Sequence, residues 1–573
     1  MDKHAAAHLL DTIATYLELK GENPFRVRAF GTAARAIGSF SGDVDEALSS
    51  GALAEVDGIG KATLEVLRDF ARTGRSTLLE ELRREVPPGL VEMRRISGLG
   101  AAKIKVLHEQ LRISTVAELE LAARNGRLAA TPGFGGKTAE KILRGIEFLN
   151  RTGGFRLAHH AARAAEQLRL AVAAVGGVER VEPAGSVRRR SEVVRDVDLA
   201  VGATIPAAEL AARLRAAAPR LEVGEQAGGL LVRLEDGTGA DVYCAAPGQF
   251  GHTLAWATGN KTHLEQLTVH GAARGVTLGP DGLRSGGALL PCPDETAFYA
   301  ALGLPWIPPE LREGGDEVAR AAAGTLPRLV ERGDLQGLLH CHSVYSDGTN
   351  TVAELADAVR AAGYRYLGLT DHSVAAAYAG GLKPDAIRRQ HEEIDALNRA
   401  CDGFRILKGI EADILADGAL DYTSDILDSF EFVIGSVHSR MEQDEAAMTR
   451  RVLRAMDDPH LTILGHPTGR LLLGREPYAL DVAAVLARAA ERGVAIEING
   501  DPQRLDLDWR RCREARDAGV TISIGSDAHS LAGLGNVDFG VAVARKGWLE
   551  ATDVLNTRDA EGMLAYARQR KTS

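Results

Sequence analysis

Three patterns of apolar and polar residues succeed one another along the chain. Up to about residue 150, apolar residues recur at helical spacing in short runs, beginning with the amphipathic stretch MDKHAAAHLLDTIATYLELK, and Gly-apolar-Gly turns break the runs. From 151 to about 320 helical runs alternate with short β-like runs. From about 335 onward a short apolar run is followed by an amphipathic stretch, such as NTVAELADAVRAAGY or LDVAAVLARAAERG, and the pair repeats across seven strand-like runs. Strand then helix in that repetition predicts a (β/α) barrel. The Pro- and Gly-rich stretch GLPWIPPELREGGDE (303–317) is the expected boundary ahead of it.

Length and composition set limits on this picture. At 573 residues, 45% hydrophobic and 25% charged, the chain is too long for one core and is expected to form several globular domains. No apolar run reaches the roughly 18 residues that a membrane-crossing helix needs, so no membrane association and a cytoplasmic location are expected. Cys244, Cys292, Cys341, Cys401 and Cys512 are scattered without CxxC spacing, which predicts reduced thiols and neither a disulfide framework nor a cysteine zinc site. A net charge of −10 excludes a uniformly positive surface. It does not exclude nucleic acid, because carboxylates that hold cations count toward that sum.

The glycine turns form an internal repeat: VDGIGKATLEVL with Gly58 and Gly60, ISGLGAAKIKVL with Gly98 and Gly100, and TPGFGGKTAEKIL with Gly133 and Gly135. A dinucleotide-binding loop needs a preceding strand, and these flanks read as helix or turn. A glycine-capped helical turn would explain one copy; three copies make that less economical. Glycines before a helix start let a phosphate approach the backbone, where unpaired N–H groups and the helix dipole receive it. Such a device grips a nucleic-acid backbone without a basic surface.

The stretch AGSVRRRSEVVRDVDLAV reads as a strand end, a Gly-Ser turn and a second strand on which Asp196 and Asp198 share a face. GLLVRLEDGTGADVYCA reads as two more strands, placing Asp241 beside them. A DxD pair alone is often a surface feature. Three aspartates on one sheet, with a serine and arginines adjacent, suit nucleotidyl transfer. Two divalent cations would activate a 3′-hydroxyl and neutralise a triphosphate, and Ser186 and Arg189 would bind phosphate oxygens.

GSVRRRSEVVRDVD, Asp241 and WATGNKTHLEQL resemble the palm of the family X DNA polymerases, and the glycine turns resemble the helix-hairpin-helix segments with which that family holds DNA. The resemblance covers residues 1 to about 315. It implies a distributive gap-filling enzyme in which Asp196, Asp198 and Asp241 bind two Mg²⁺ or Mn²⁺ ions. Ser186 and Arg189 then meet the incoming triphosphate, and Trp256 to Gly259 lie near its sugar. The chain departs from the family's pattern at Trp256, Ala257 and Asn260, where an aromatic pair and a serine are usual, at Leu264 in place of an asparagine, and at Arg195 in place of a small residue. Val66 stands where the lyase lysine of some members lies. A Schiff base needs an amine, so weak or absent 5′-deoxyribose-phosphate lyase activity is expected from that position, with Lys61 the nearby amine.

The seven apolar runs of the last third each end on residues of metal-binding type: LLHCHS (His340, His342), YLGLTDHS (Asp371, His372), RILKGIEAD (Glu411), FVIGSVHS (His438), TILGHPT (His466), VAIEING (Glu497, Asn499) and TISIGSDAHS (Asp527, His529). Any one histidine is more often a core or surface residue; six at strand ends, which converge at one mouth of a barrel, argue for a metal centre. Imidazoles mixed with carboxylates suit Mn²⁺, Zn²⁺ or Fe²⁺ better than Mg²⁺, and two or three such ions fit hydrolysis at phosphorus. Residues 335 to about 570 resemble a PHP (polymerase and histidinol phosphatase) domain. The resemblance implies His340, His342, Asp347, His372, Glu411, His438, His466, Asp527 and His529 as ligands. Leu338 replaces an aspartate that commonly precedes the histidine pair. Related domains on bacterial family X polymerases are similar to manganese-dependent 3′→5′ exonucleases, 3′-phosphatases or phosphodiesterases, and abasic-site endonucleases.

The fold class expected is therefore multidomain α+β and α/β. It comprises helix-hairpin-helix domains at 1–80 and 81–150, a nucleotidyltransferase-type palm at 151–246, a nucleotide-selection subdomain and linker at 247–320, and a seven-stranded (β/α) PHP barrel at 335–573. The function expected is base excision repair on gapped or nicked DNA with dNTPs, by a monomer that joins the bacterial nucleoid when DNA-bound. The alternative is a metallophosphoesterase that uses a weak palm to position DNA, and a third reading is a DNA-binding scaffold with both sites silent.

Overall fold

The computed structural model describes residues 3–40, 43–96 and 98–572. Met1, Asp2, Ser41, Gly42, Ser97 and Ser573 lie outside the described residues. The chain divides into two compact units, Met1–Gly153 and Gly154–Ser573.

The first unit is helical. Each glycine turn leads into a helix, Lys61–Thr73, Ala101–Leu111 or Gly135–Thr152. Gly58, Gly98 and Gly133 have φ of 89°, 87° and 88°, the left-handed conformation that other residues resist, which is why the first glycine of each turn is needed. Leu10, Ile13 and Leu17 of the helix Lys3–Lys20 join Leu67, Ile104, Leu107 and Ile142 in one core. Val66 is buried in that core as an ordinary apolar residue.

The second unit begins with a five-stranded sheet: β1 (Val178–Pro183), β2 (Val197–Ala203), β3 (Glu222–Gln226), β4 (Gly229–Arg233) and β5 (Gly239–Ala245), in the order β1-β2-β5-β4-β3. Only the β2–β5 pair is parallel. Alternation on β2 sets its two faces: Val197, Leu199 and Val201 pack with Leu168, Val172, Leu210 and Leu214 from the helices Ala158–Ala173 and Ala207–Ala217. Ala200 faces the other way, against Phe250 and Leu254 of the helix Phe250–Thr258. Asp198 shares the side of Ala200 by the same alternation.

The expected boundary at 303–317 is not a loose connector. Leu304, Ile307 and Leu311 join Phe298, Tyr299 and Trp548 in one core, and Arg312 is fully buried, 2.6 Å from Glu295. Glu295 also receives two hydrogen bonds from Arg188, each 2.7 Å, and one from Trp306 at 2.9 Å. Proline and glycine report a restricted or permissive backbone, not exposure, so composition alone reads this packed stretch as a linker.

Seven parallel strands then close into a barrel: β6 (Gly337–Cys341), β7 (Tyr366–Leu369), β8 (Arg405–Asp413), β9 (Phe432–Ser436), β10 (Leu461–Leu464), β11 (Ala495–Asn499) and β12 (Ile522–Ala528), with β12 returning to β6. Their residues are almost entirely buried, as expected for parallel strands covered by helices such as Val352–Ala361, Pro384–Ala400 and Val482–Arg492.

Glu295→Ala would leave the Arg312 guanidinium buried without its carboxylate. Urea denaturation of the full chain should show a loss of about 3–5 kcal/mol in the second unit. Arg328→Ala, which breaks the exposed pair with Asp334, should leave the urea midpoint almost unchanged.

Candidate active sites

Register builds the first site. In the parallel β2–β5 pairing Asp198 stands opposite Asp241, and Asp196 precedes β2 by one residue. Gly185 has φ of 56°, and a Cβ there would lie 1.7 Å from Asp198 Oδ2, so the Gly-Ser turn is folded directly onto the carboxylate. The positive field of Arg189 offsets part of the charge, and two neutral groups bind the carboxylates: the Tyr243 hydroxyl bonds Asp198, and Gln226 Nε2 donates to Asp241 Oδ1 at 2.9 Å. Burial, reinforced by Asp196 and Asp241, pushes the Asp198 carboxyl up to about 7. Such an excess of negative charge fits divalent cations. A groove of about 460 Å³ adjoins the carboxylates, lined in part by Asp196, Glu222, Arg233 and Asp241.

The structure brings Arg189 to the segment around Trp256 and Gly259. Its guanidinium donates to the Thr258 carbonyl and, at 3.2 Å, to Glu313. Ser186 lies in the short helix Gly185–Arg188, and Trp256 stacks on His252 with ring centroids 5.9 Å apart. Glu313 was not singled out from the sequence, where it reads as one charge in a Pro/Gly-rich stretch.

The second site lies at the C-terminal ends of the barrel strands. His342, Asp347, His372 and His529 bring one ligand atom each within 4.8 Å of one another, as do His340, His466 and Asp527; His340, His342 and Glu411; and His372, Glu411 and His438. All nine positions expected from the sequence fall in these overlapping groups. Glu411 sits between them, 3.4 Å from His340 Nε2, 3.1 Å from His466 Nε2 and 3.3 Å from His438 Nε2.

A further layer aims these side chains. Glu497 accepts from His340 Nδ1 at 2.5 Å and from the His466 backbone N–H at 2.7 Å. Asp413 holds His438 Nδ1 at 2.5 Å, and Asn499 donates to Asp527 at 3.0 Å. Glu497 thus supplies the carboxylate support that Leu338 does not. Asp371, which ends an apolar run in the sequence, is turned away instead, accepting from Ser343, Ser346 and Gln390. His340, Asp527 and His466 have φ of 60°, 50° and 23°, a strained backbone costing about 1–3 kcal/mol each, held by the barrel at three positions of the cluster.

The buried polar atoms test whether metal fits. His340 Nε2, both ring nitrogens of His342, His372 Nδ1, Glu411 Oε2 and His466 Nδ1 form no well-aligned hydrogen bond, although His372 Nδ1 lies 2.8 Å from Glu411 Oε2 and His342 Nε2 lies 3.3 Å from Asp527. Orphaned buried nitrogens and carboxylate oxygens aimed at one another are costly unless a cation takes them.

Comparison with known proteins agrees with this architecture. Residues 1–76 match the helix-hairpin-helix domain family, 90–147 the SAM-like helix-hairpin-helix tandem, 253–313 the DNA polymerase beta thumb, and 339–501 the PHP domain. The DNA polymerase/3′-5′ exonuclease PolX of Bacillus subtilis (strain 168) is 36% identical over 576 residues, covering 99% of this chain and 100% of that protein. This chain belongs to the bacterial family X DNA polymerases that carry a PHP domain. A probable phosphatase of Shewanella sp. (strain MR-4) is 30% identical over 40% of this chain and 90% of its own length. A probable phosphatase of Thermoanaerobacter sp. (strain X514) is 28% identical over 40% and 94%.

In this family X chain the imidazoles of the barrel cluster divide between neutral and protonated. Burial lowers His342 to about 4, and neighbouring His529 and His372 push the same way, so its imidazole is neutral at neutral pH. Burial would raise Glu411, yet His438, His372 and His340 hold it well below the usual carboxylate range. Against burial, which would lower them, the neighbouring carboxylates raise His340 well above its ordinary value, His438 to about 10 and His529 to about 9, so cations entering the cluster displace protons at those imidazoles.

Gly185→Ala should drive a methyl into Asp198 and cut dNTP incorporation by at least roughly 100-fold in a primer-extension assay. Asp198 yields a second expectation. A raised carboxyl pKa steadies the metal-free fold below the unfolded value, and that contribution is lost as pH rises through about 7. A cation binding there must displace the proton below that pH. Calorimetric Mg²⁺ affinity of the His340→Ala, His342→Ala double variant should therefore climb with pH and level off above about 7. Asp198→Asn should flatten the rise.

Proposed function

We propose that this chain repairs DNA by filling short gaps with dNTPs at the aspartate site and hydrolysing 3′-terminal phosphodiesters or phosphates at the barrel site. The observation that carries the reading is the coexistence, in one chain matching a relative named as polymerase and 3′-5′ exonuclease along its full length, of a three-carboxylate sheet and a nine-residue histidine-carboxylate cluster. Gapped or nicked duplex is the proposed substrate, held through the backbone amides behind Gly60, Gly100 and Gly135. We assign the helical segments 1–80 and 81–150 to that task, 151–246 and 247–320 to nucleotidyl transfer, and 335–573 to hydrolysis.

At the sheet, Asp196, Asp198 and Asp241 would hold two Mg²⁺ or Mn²⁺ ions. Tyr243 and Gln226 keep two of the carboxylates in place. Ser186 and Arg189 are assigned to the triphosphate and Trp256 and Gly259 to its sugar. Arg189 already lies against the Thr258 carbonyl, so exchanging its Glu313 partner for a phosphate needs only local movement.

At the barrel, the nine residues would hold two or three Mn²⁺, Zn²⁺ or Fe²⁺ ions, which supply Lewis acidity toward a phosphate ester and lower the pKa of water. Glu497 and Asp413 fix the tautomers of His340 and His438 by accepting from Nδ1, leaving Nε2 of each facing the cluster. The buried strands around them exclude bulk water from all sides but the mouth. The protein is proposed to work as a monomer in the cytoplasm, associated with the nucleoid while on DNA. A second reading, chiefly a metallophosphoesterase with the palm as DNA holder, is favoured by the phosphatases that match the last 40% of the chain and by the unusual Trp256-Ala257 pair.

A paired assay on a one-nucleotide-gapped duplex with Mn²⁺ decides. Asp196→Ala with Asp198→Ala should abolish extension and spare 3′ degradation; His340→Ala with His342→Ala should do the reverse. Wild-type degradation without extension would establish the second reading instead.

A further inference from the structure

The apolar surface of residues 335–572 is unevenly spread. Among the described residues of that segment, the exposed large hydrophobic side chains are Val344, Val374, Tyr378, Leu415 and Leu531. Each lies two to six residues past His342, His372, Glu411 or His529, on the loops that leave the barrel at the end bearing the cluster. The rest of the barrel's surface follows the usual rule of burying such groups. An apolar rim confined to the mouth of a site built for phosphate esters calls for a partly apolar substrate.

Tyr378 dominates this rim. It is 75% exposed, and its ring centroid is 6.2 Å from that of His372. The loop carrying it is braced on several sides. Ala376 N–H bonds the Ser373 carbonyl at 3.0 Å, Gly381 N–H bonds the Ala376 carbonyl at 3.1 Å, and Leu382 N–H bonds the His372 carbonyl at 2.9 Å. Ala375 N–H adds a bond to Asp421 at 2.8 Å, and a Cβ on Gly381 would meet the Ser373 carbonyl at 1.8 Å. A tightly wound loop thus fixes the backbone that carries this exposed ring beside the cluster, which lowers the backbone entropy lost when a partner arrives.

We propose that Tyr378 is a specificity-determining residue, whose ring stacks on the terminal nucleobase of a 3′ DNA end while the neighbouring phosphate occupies the cluster. A base joined through one sugar to a phosphate near His372 comes within reach of a ring at that distance. The two faces of a nucleobase are flat and apolar, and its edges are polar, which matches an exposed aromatic platform beside His372. A stack of this kind is indifferent to which base is present. It distinguishes a nucleotide from a bare sugar or an abasic residue.

This inference rests on the barrel being a 3′-end hydrolase, and the test separates the two. Two single-stranded oligonucleotides differing only at the 3′ residue, one ending in a thymidine nucleotide and one in a base-less tetrahydrofuran nucleotide, are digested by the full chain with Mn²⁺, and the ratio of kcat/KM is read. The wild type should prefer the base-bearing end by roughly tenfold, the scale of one base–aromatic stack. Tyr378→Phe should keep the ratio, and Tyr378→Ala and Tyr378→Leu should bring it near one, with the loss mainly in KM and bound manganese unchanged. An equal ratio in the wild type, a ratio kept by Tyr378→Ala and Tyr378→Leu, or a ratio lost in Tyr378→Phe would overturn the stacking role while leaving the hydrolase intact. No digestion of either end by the wild type would overturn the hydrolase reading, and the stacking role with it.

Discussion

Asp198 stands opposite Asp241 on adjacent parallel strands, Asp196 is two residues behind, and a tyrosine hydroxyl and a glutamine amide are the neutral groups that answer them. At the barrel mouth six imidazoles and three carboxylates crowd into overlapping groups with several atoms unpaired. Like charges and orphaned lone pairs brought together away from water oppose folding, by amounts comparable with the whole net stability of a domain. Both clusters persist because rigid strands with large apolar cores impose their positions. A divalent cation then turns the same crowding from a cost into an attraction.

The supporting groups differ between the two clusters in a way that follows from burial. At the half-open sheet, neutral donors together with the field of Arg189 suffice, because water and the adjoining groove screen part of the repulsion. Inside the barrel, where screening is weak, full carboxylates do the orienting: Glu497 behind His340 and Asp413 behind His438. Left-handed backbone at His340 and Asp527 is sustained by strands in which every residue but Asp527 itself is buried.

Glu295 plays the corresponding structural part between the sheet and the segment after it. Its carboxylate joins Arg188, from the stretch that follows the Gly-Ser turn, to Arg312, from a stretch rich in proline, and both guanidinium groups approach it closely. Coulombic attraction to those two arginines outweighs burial and keeps the carboxyl ionised far below its ordinary range. The neighbouring Arg189, paired with Glu313, is tied to the same segment. The turn that meets Asp198 is thereby fixed to the residues around Gly259.

The sequence by itself determined the repeating strand and helix of the barrel, the three glycine turns, the two-residue spacing of Asp196 and Asp198, and the histidines and carboxylates that end the seven apolar runs, because each is carried by local periodicity or spacing; the set of nine with Asp347, which lies in the loop past β6, was implied by the resemblance to PHP domains. Asp241 was legible too, since the parallel partner strand brings it opposite Asp198. Tertiary structure alone decided the rest. That Asp371 turns to Ser343 and Gln390 while Glu497 turns to His340, that Glu313 meets Arg189, and that 303–317 is core, depend on which distant groups arrive at each side chain. The exposed ring of Tyr378 beside His372 is of the same kind. A run such as VAAAYAGG carries no period that marks its tyrosine; only the braced loop and the closed barrel put it at the mouth.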